Sequence, residues 1–204
     1  MTNRLLLFVC GCAALAASPC LRAGETRATA QSQDPSNCWE LTLESGYLWE
    51  VGHSTSIPYE IIPTQLVLRT PIMWTWWEDE NGAKLIVRNR FALLTETITV
   101  GPEDYYFGAS AAPSIELWSP SRDVSLFASA GGGVGVTNSD TNHQGLGQDF
   151  ILNWFAEVGV RKQLRNNMSV MVAAYFTHHS DGNMNQPNPG IDALGFTVGL
   201  GWRF

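Results

Sequence analysis

The densest run of groups able to do chemistry is residues 177–192, Thr-His-His-Ser-Asp-Gly-Asn-Met-Asn-Gln-Pro-Asn-Pro-Gly-Ile-Asp. His178 and Ser180 are two residues apart, and Asp192 follows a stretch rich in Pro, Gly and Asn. A hydroxyl, an imidazole and a carboxylate are the parts of nucleophilic acyl transfer. Ser180 would attack, His178 would take its proton as general base, and Asp192 would hold the imidazole in one tautomer. The backbone N–H groups of Asp181 and Gly182 would be the oxyanion donors. Spacing alone does not carry this reading, because Ser, His and Asp are ordinary loop residues. The elements on either side must bring the three groups together.

Those elements alternate with period two, the mark of strands with one apolar face. From Asp192 onward, Leu194, Phe196, Val198, Leu200, Trp202 and Phe204 share one parity and Gly195, Thr197, Gly199, Gly201 and Arg203 the other. Eight strands are predicted, at 39–51, 64–76, 84–96, 105–117, 124–136, 150–161, 168–178 and 192–204. The facing of 84–96 is open, because Ile86 and Leu94 share a parity with Arg88 and Arg90. In 168–178 the apolar parity of Val170, Val172, Ala174 and Phe176 continues through His178 and Ser180, and Asp192 shares the parity of Leu194. A hairpin centred near Asn185 would set His178 opposite Asp192. His179 has the inward parity and is given no catalytic role.

Composition narrows the class. A chain of 204 residues with 45% hydrophobic and 15% charged residues is not disordered, and its charged fraction is below the ~25% of ordinary soluble domains. Eight Trp, nine Phe and five Tyr are many aromatics for this length. A formal charge of -7 argues against a nucleic-acid groove. At the N-terminus Arg4 precedes the apolar or small run 5–17, shorter than the ~20 residues of a spanning helix, and Ser18 to Ala23 offer a cleavage region. Residues 1–23 read as a secretory signal peptide, with lipoprotein processing at Cys12 or Cys20 the less favoured alternative. Residues 24–37 read as a flexible lead-in and 38–204 as one barrel domain. Cys38 is then the single cysteine left, which excludes an internal disulfide. No cofactor is expected. Asp140, Asp149, Asp181 and Asp192 match no established metal loop, His53 and His143 fall in loops as surface histidines, and the Gly131–Gly135 run is no phosphate loop because no helix follows.

Both a soluble and an outer-membrane barrel alternate in this way. The polar parity carries Arg69, Arg88, Arg90, Arg161 and Arg203 with Glu40, Glu44, Glu116 and Glu157, which suits a packed ionic interior rather than an apolar ligand cavity. Aromatic residues gather at strand ends on the apolar parity, at Trp39, Trp49, Trp74, Trp76, Trp202 and Phe204, as membrane-interface girdles do. Connections 77–83, 119–123 and 164–167 are short, whereas 52–63, 137–148 and 180–191 are longer, with 97–104 an exception. The expected fold is an all-β, eight-stranded antiparallel transmembrane barrel in the outer membrane, too narrow for a pore. Its longer loops, and the 177–192 cluster, would be extracellular.

The stretch Phe176-Thr-His178-His-Ser180-Asp, then Pro187-Asn-Pro-Gly190-Ile-Asp192, closing in Gly201-Trp-Arg-Phe204, resembles the C-terminal signature of the PagL-type lipid A 3-O-deacylases. The resemblance implies an eight-stranded outer-membrane barrel with a His, Ser and acidic triad on its lipid-facing wall, acting on lipid A of lipopolysaccharide. His178 and Ser180 match the catalytic pair and Asp192 the acidic member. Two positions depart from the pattern: the prototype's acid is Glu, and the residue after the serine is usually Asn where this chain has Asp181. A non-catalytic structural or adhesive barrel, and a soluble periplasmic lipid-binding barrel, are the alternative readings, and a homodimer is left open.

Overall fold

A computed structural model describes residues 34–52, 57–139, 145–184 and 190–204. The expected signal peptide 1–23, most of the lead-in, and His53, Asp140, His143 and Asn185 lie outside the described residues. The elements are β1 (Glu40–Glu50), β2 (Glu60–Arg69), β3 (Trp74–Glu78), β4 (Lys84–Val100), β5 (Tyr105–Trp118), β6 (Val124–Thr137), β7 (Phe150–Gln163), β8 (Met168–Ser180) and β9 (Ile191–Arg203). All neighbours pair antiparallel in the order β2-β1-β9-β8-β7-β6-β5-β4-β3, and an added β2–β4 pairing closes the sheet into a barrel.

Nine segments fill eight wall positions. β2 and β3 run in the same direction along β4: Arg69 pairs with Arg90, and Trp74, after a short break, pairs with Val87. The strand expected at 64–76 is therefore corrected to an interrupted one. Pro71 has no N–H for the ladder and pushes the residue before it out of register. Only Thr70 and Met73 keep bonds to β4 across the gap, to the carbonyls of Asn89 and Val87. Strands also reach further than expected. Residues Thr95 to Val100 continue the alternation of β4, so the connection expected at 97–104 shrinks to 101–104.

Register partners followed round the wall lead from Lys84 through Trp118, Ser125, Arg161, Met171, Gly199, Glu44 and Gln65 back to β4 at Leu94. That stagger of ten residues over eight strands tilts each strand by about 35–45° from the barrel axis. It also lifts each strand relative to the last, so that positions far apart in sequence share one height.

The interior is packed with charge. Arg69, Arg88, Arg90 and Arg161 face Glu40, Glu44, Glu116 and Glu157, all fully or nearly fully buried. Arg69 meets Glu44 at 2.8 Å, Arg90 meets Glu157 at 3.0 Å, and Arg161 meets Glu116 at 3.1 Å. Four arginines against four glutamates leave the stack neutral, and Phe127 and Phe155 lie under the guanidinium groups of Arg161 and Arg90 at 4.8 and 4.6 Å. The ambiguous facing of β4 is settled by this stack: Arg88 and Arg90 turn inward and take Ile86 and Leu94 with them.

The outer face is apolar, with Leu43, Leu66, Phe91, Leu126, Val158, Val172, Phe196 and Leu200 all exposed. Trp39, Trp74, Trp76 and Trp202 ring the wall at the end that holds residues 34–39 and Phe204, and Trp77 joins them. A face of this kind, exposed in water, would not keep a soluble protein monomeric. At that same end residues 34–37 fold under the barrel. Asp34 receives Lys84 at 2.6 Å and Arg122 at 3.0 Å, and Asn37 Oδ1 accepts from Ile72 N–H.

Candidate active site

The site grows out of the β8–β9 hairpin. The registers His178↔Asp192 and Trp154↔His178 place an imidazole between a carboxylate on one side strand and an indole on the other. His178 Nδ1 lies 2.7 Å from Asp192 Oδ1, and both side chains are about a quarter exposed on the outer face (26% each). With Nδ1–H donating to the carboxylate, the lone pair of His178 sits on Nε2, the tautomer a general base requires. Ser180 follows on the same face, one pleat beyond His178 and opposite Leu152. All three residues keep the expected outward parity, and His178 pairs with Asp192 as the hairpin centre predicts.

Neighbouring groups fix the imidazole. The Trp154 ring lies 5.6 Å from that of His178 and 4.9 Å from Phe176, forming one outward aromatic row. Asp192 is braced from β1, whose continuation donates Val51 N–H to the Asp192 carbonyl at 2.8 Å. Gly190 enters β9 at φ +70, and a Cβ there would stand 3.2 Å from His178 Cε1 and from the His179 carbonyl. Glycine is thus favoured on two counts, by backbone conformation and by the closeness of the ring. Spacing did not single out Gly190, Trp154 or Val51. The signal for Gly190 was its place in the Pro-Asn-Pro-Gly-Ile-Asp stretch, whereas the Trp154 and Val51 contacts depend on strand register.

The proposed oxyanion donors lie in the turn after Ser180. Gly182 adopts φ +67 and its N–H donates to Ser180 Oγ at 3.1 Å, so the loop holds the hydroxyl oxygen and leaves its proton for a base. Asp181 is fully buried, off the outer face that carries Ser180. His179 points inward as expected, its Nε2 3.0 Å from Glu96 Oε2 and its ring 4.6 Å from that of Tyr106. Asp149 is an exposed loop residue, and among the described residues no three carboxylate, imidazole or thiol groups converge as a metal cage would.

A closed barrel with an ionic interior, an apolar outer face and a ring of tryptophans is a transmembrane β-barrel of the outer-membrane kind, here with a His, an Asp and a Ser gathered on its outer wall near one rim. The chain belongs to the lipid A 3-O-deacylase (PagL) family, whose match runs over residues 63–201 and includes His178, Ser180 and Asp192. Among solved structures it is similar to the crystal structure of the outer membrane enzyme PagL, at 19% identity and a TM-score of 0.48, over 78% of this chain and 97% of that one. It is also similar to a structure from the de novo design of transmembrane β-barrels, at 10% identity and a TM-score of 0.44, over 82% of this chain and 96% of that one. No curated protein matches the sequence.

Proposed function

We propose that the protein is a lipid A 3-O-deacylase that works from the lipid-facing wall of its barrel, with Ser180 as nucleophile, His178 as general base and Asp192 as the group that orients His178. The observation that carries this reading is the 2.7 Å His178–Asp192 contact on the face that also bears Ser180, in a chain of the lipid A 3-O-deacylase family. Ser180 Oγ attacks the ester carbonyl at the 3-position as its proton passes to His178 Nε2. Collapse of the tetrahedral adduct breaks the bond to the sugar oxygen, which takes that proton and leaves as the free hydroxyl. Water, activated by the same imidazole, then clears the acyl group from Ser180 and releases a fatty acid. The N–H groups of Asp181 and Gly182 receive the oxyanion, that of Gly182, which donates to Ser180 Oγ at rest, shifting to it as the new C–O bond forms.

Height supports the same reading. Ten residues of β9 separate Asp192 from Trp202. At ~3.3 Å per residue and about 40° of tilt that is roughly 25 Å along the axis, the height of a barrel's apolar band. The triad then lies at the border between acyl chains and headgroups in the extracellular leaflet, where an ester of lipid A is found. Delivery there by the signal peptide 1–23 belongs to the same reading.

The test is purified protein incubated with lipopolysaccharide and lipid A read by mass spectrometry. Loss of one 3-linked hydroxyacyl chain is expected, and loss of that chain by the Ser180→Ala protein as well would overturn the mechanism.

A further inference from the structure

Charge is divided along this barrel by sequence alone. No Lys or Arg occurs in residues 28–68, 91–121, 123–160 or 166–202, and each of these stretches contains one of the four connections at the end that carries the site. The connections are 51–59, 101–104, 138–149 and 181–190. Every Lys and Arg of the barrel therefore lies in the interior stack or toward the opposite end. The site end carries carboxylates instead, with Asp104 and Asp149 exposed and Glu60 and Asp192 half-buried. His178 and His179 belong to it as well.

A second feature stands beside the triad. On the outer wall Trp49 pairs with Glu60 on one side and with Leu194 on the other, and Asp192 is the diagonal neighbour of Trp49, about 7–8 Å away. Tyr47, on the same face, is the diagonal neighbour of Glu60 across the β1–β2 pairing. A carboxylate beside an exposed indole, with a second carboxylate across it, is the setting that receives an ammonium group: one face supplies charge, the other π density. The same setting offers a phosphate monoester no donor cation and several like charges.

We propose that this end of the barrel selects saccharolipid headgroups that are neutral or amine-bearing over those with bare phosphates, and that Glu60 with Trp49 forms the ammonium-accepting subsite next to the triad. The proposal rests on the deacylase reading above and names the substrate class of that same site. The carboxylates are spread round the rim, so their effect is a field over the approaching headgroup as well as one contact, and fields of this size change encounter rates by roughly 10-fold or more.

The experiment uses the full mature protein in detergent micelles with three lipid A forms of the same acylation: bisphosphorylated, phosphate-free, and capped on phosphate with ethanolamine. Initial deacylation rates are measured with a chelator and again with millimolar Mg²⁺. The expected order in chelator is capped, then phosphate-free, then bisphosphorylated, with about 10-fold between the extremes. Glu60→Gln should erase the advantage of the capped form over the phosphate-free one, and Glu60→Lys should move the preference toward the bisphosphorylated form. Gel mobility of the unheated protein checks that both variants fold. Equal rates for the three forms would overturn the proposal. So would a bisphosphorylated form that is best in chelator, or that Mg²⁺ raises above the others, since the rim would then act through a bridging cation. Turnover of none of the forms would overturn the deacylase reading itself, and this inference with it.

Discussion

On β8, His178 turns outward to Asp192 at 2.7 Å, and the next residue, His179, turns inward to Glu96 at 3.0 Å. The two pairs share their chemistry and differ in surroundings. The outer pair is 26% exposed on each side, spans adjacent strands and stands on the apolar outer face of the barrel. The inner pair is 2% and 1% exposed and reaches across the barrel from β8 to β4. Inward, an imidazole and a carboxylate are structural filling, held by Tyr106 and enclosed by the wall. Outward, the same groups lie on a surface whose other residues are apolar, where ionisable groups are costly and mark function. One step along a strand thus separates a contact inside the barrel from the one proposed to be catalytic, because a pleat sends neighbours to opposite sides.

Replacing the outer base should separate the pairs most. His178→Asn is expected to lower kcat by roughly 10⁴ or more, because the proton of Ser180 then has no acceptor. Its urea unfolding midpoint should stay near that of the parent, as the imidazole is partly exposed. A His178→Asn protein that keeps its activity would mean that the outer pair is no more catalytic than the inner one. Asp192→Asn should follow with a fall in kcat of up to roughly 10⁴, since an amide can hold the ring in the wrong tautomer. Asp192→Glu should retain most of the activity, which checks that charge rather than shape is the requirement. The measurement is release of the hydroxyacyl chain at a single neutral pH.

The inner pair should answer in the opposite way. His179→Ala leaves the Glu96 carboxylate buried without its imidazole, a change that costs about 3–5 kcal/mol of stability for buried pairs of this kind. Chemical unfolding of the purified barrel measures it. Activity under conditions where the variant remains folded should change by only a few-fold, because His179 touches no reacting atom. A loss of activity as deep as that of His178→Asn, in a folded protein, would break the distinction.

The distinction itself was legible in the sequence, since period two assigns faces without any knowledge of contacts: Val170 to Ser180 and Asp192 to Phe204 fix the outward set. The pairing of His178 with Asp192 was legible too, because a hairpin of known centre fixes register. What sequence did not yield were features that depend on closure. The apolar parity of Leu66, Leu68, Ile72, Trp74 and Trp76 runs straight through Pro71, and only the missing N–H against β4 reveals the break between β2 and β3. The facing of Ile86 and Leu94 was undecidable from β4 alone, because their inward position follows from the glutamates that β1, β5 and β7 present to Arg88 and Arg90. The nearness of Gly190 to the His178 ring likewise follows from a turn whose geometry alternation does not encode.

The smallest effect is expected at the end remote from the site, where Asp34 closes the barrel floor. Burial by itself would raise its carboxyl pKa, but hydrogen bonds from Lys84 and Ser36 outweigh that and hold it below the ordinary value of 3.8. A carboxyl whose pKa is lowered by folding contributes stability that is fully present above the unfolded value and is lost as pH falls through the folded one. The difference in unfolding midpoint between the parent and Asp34→Asn should therefore be present at neutral pH and vanish at about pH 2, below the acidic window. Because Asp34 is partly open to solvent, the contribution is less than about 1 kcal/mol. The variant should deacylate at the parent rate, because the floor and the outer pair stand at opposite ends of the barrel and share no contact. A pH-independent loss of stability in Asp34→Asn would show that the floor is held by the hydrogen bonds of the 34–37 turn instead of by the charge it presents to Lys84 and Arg122.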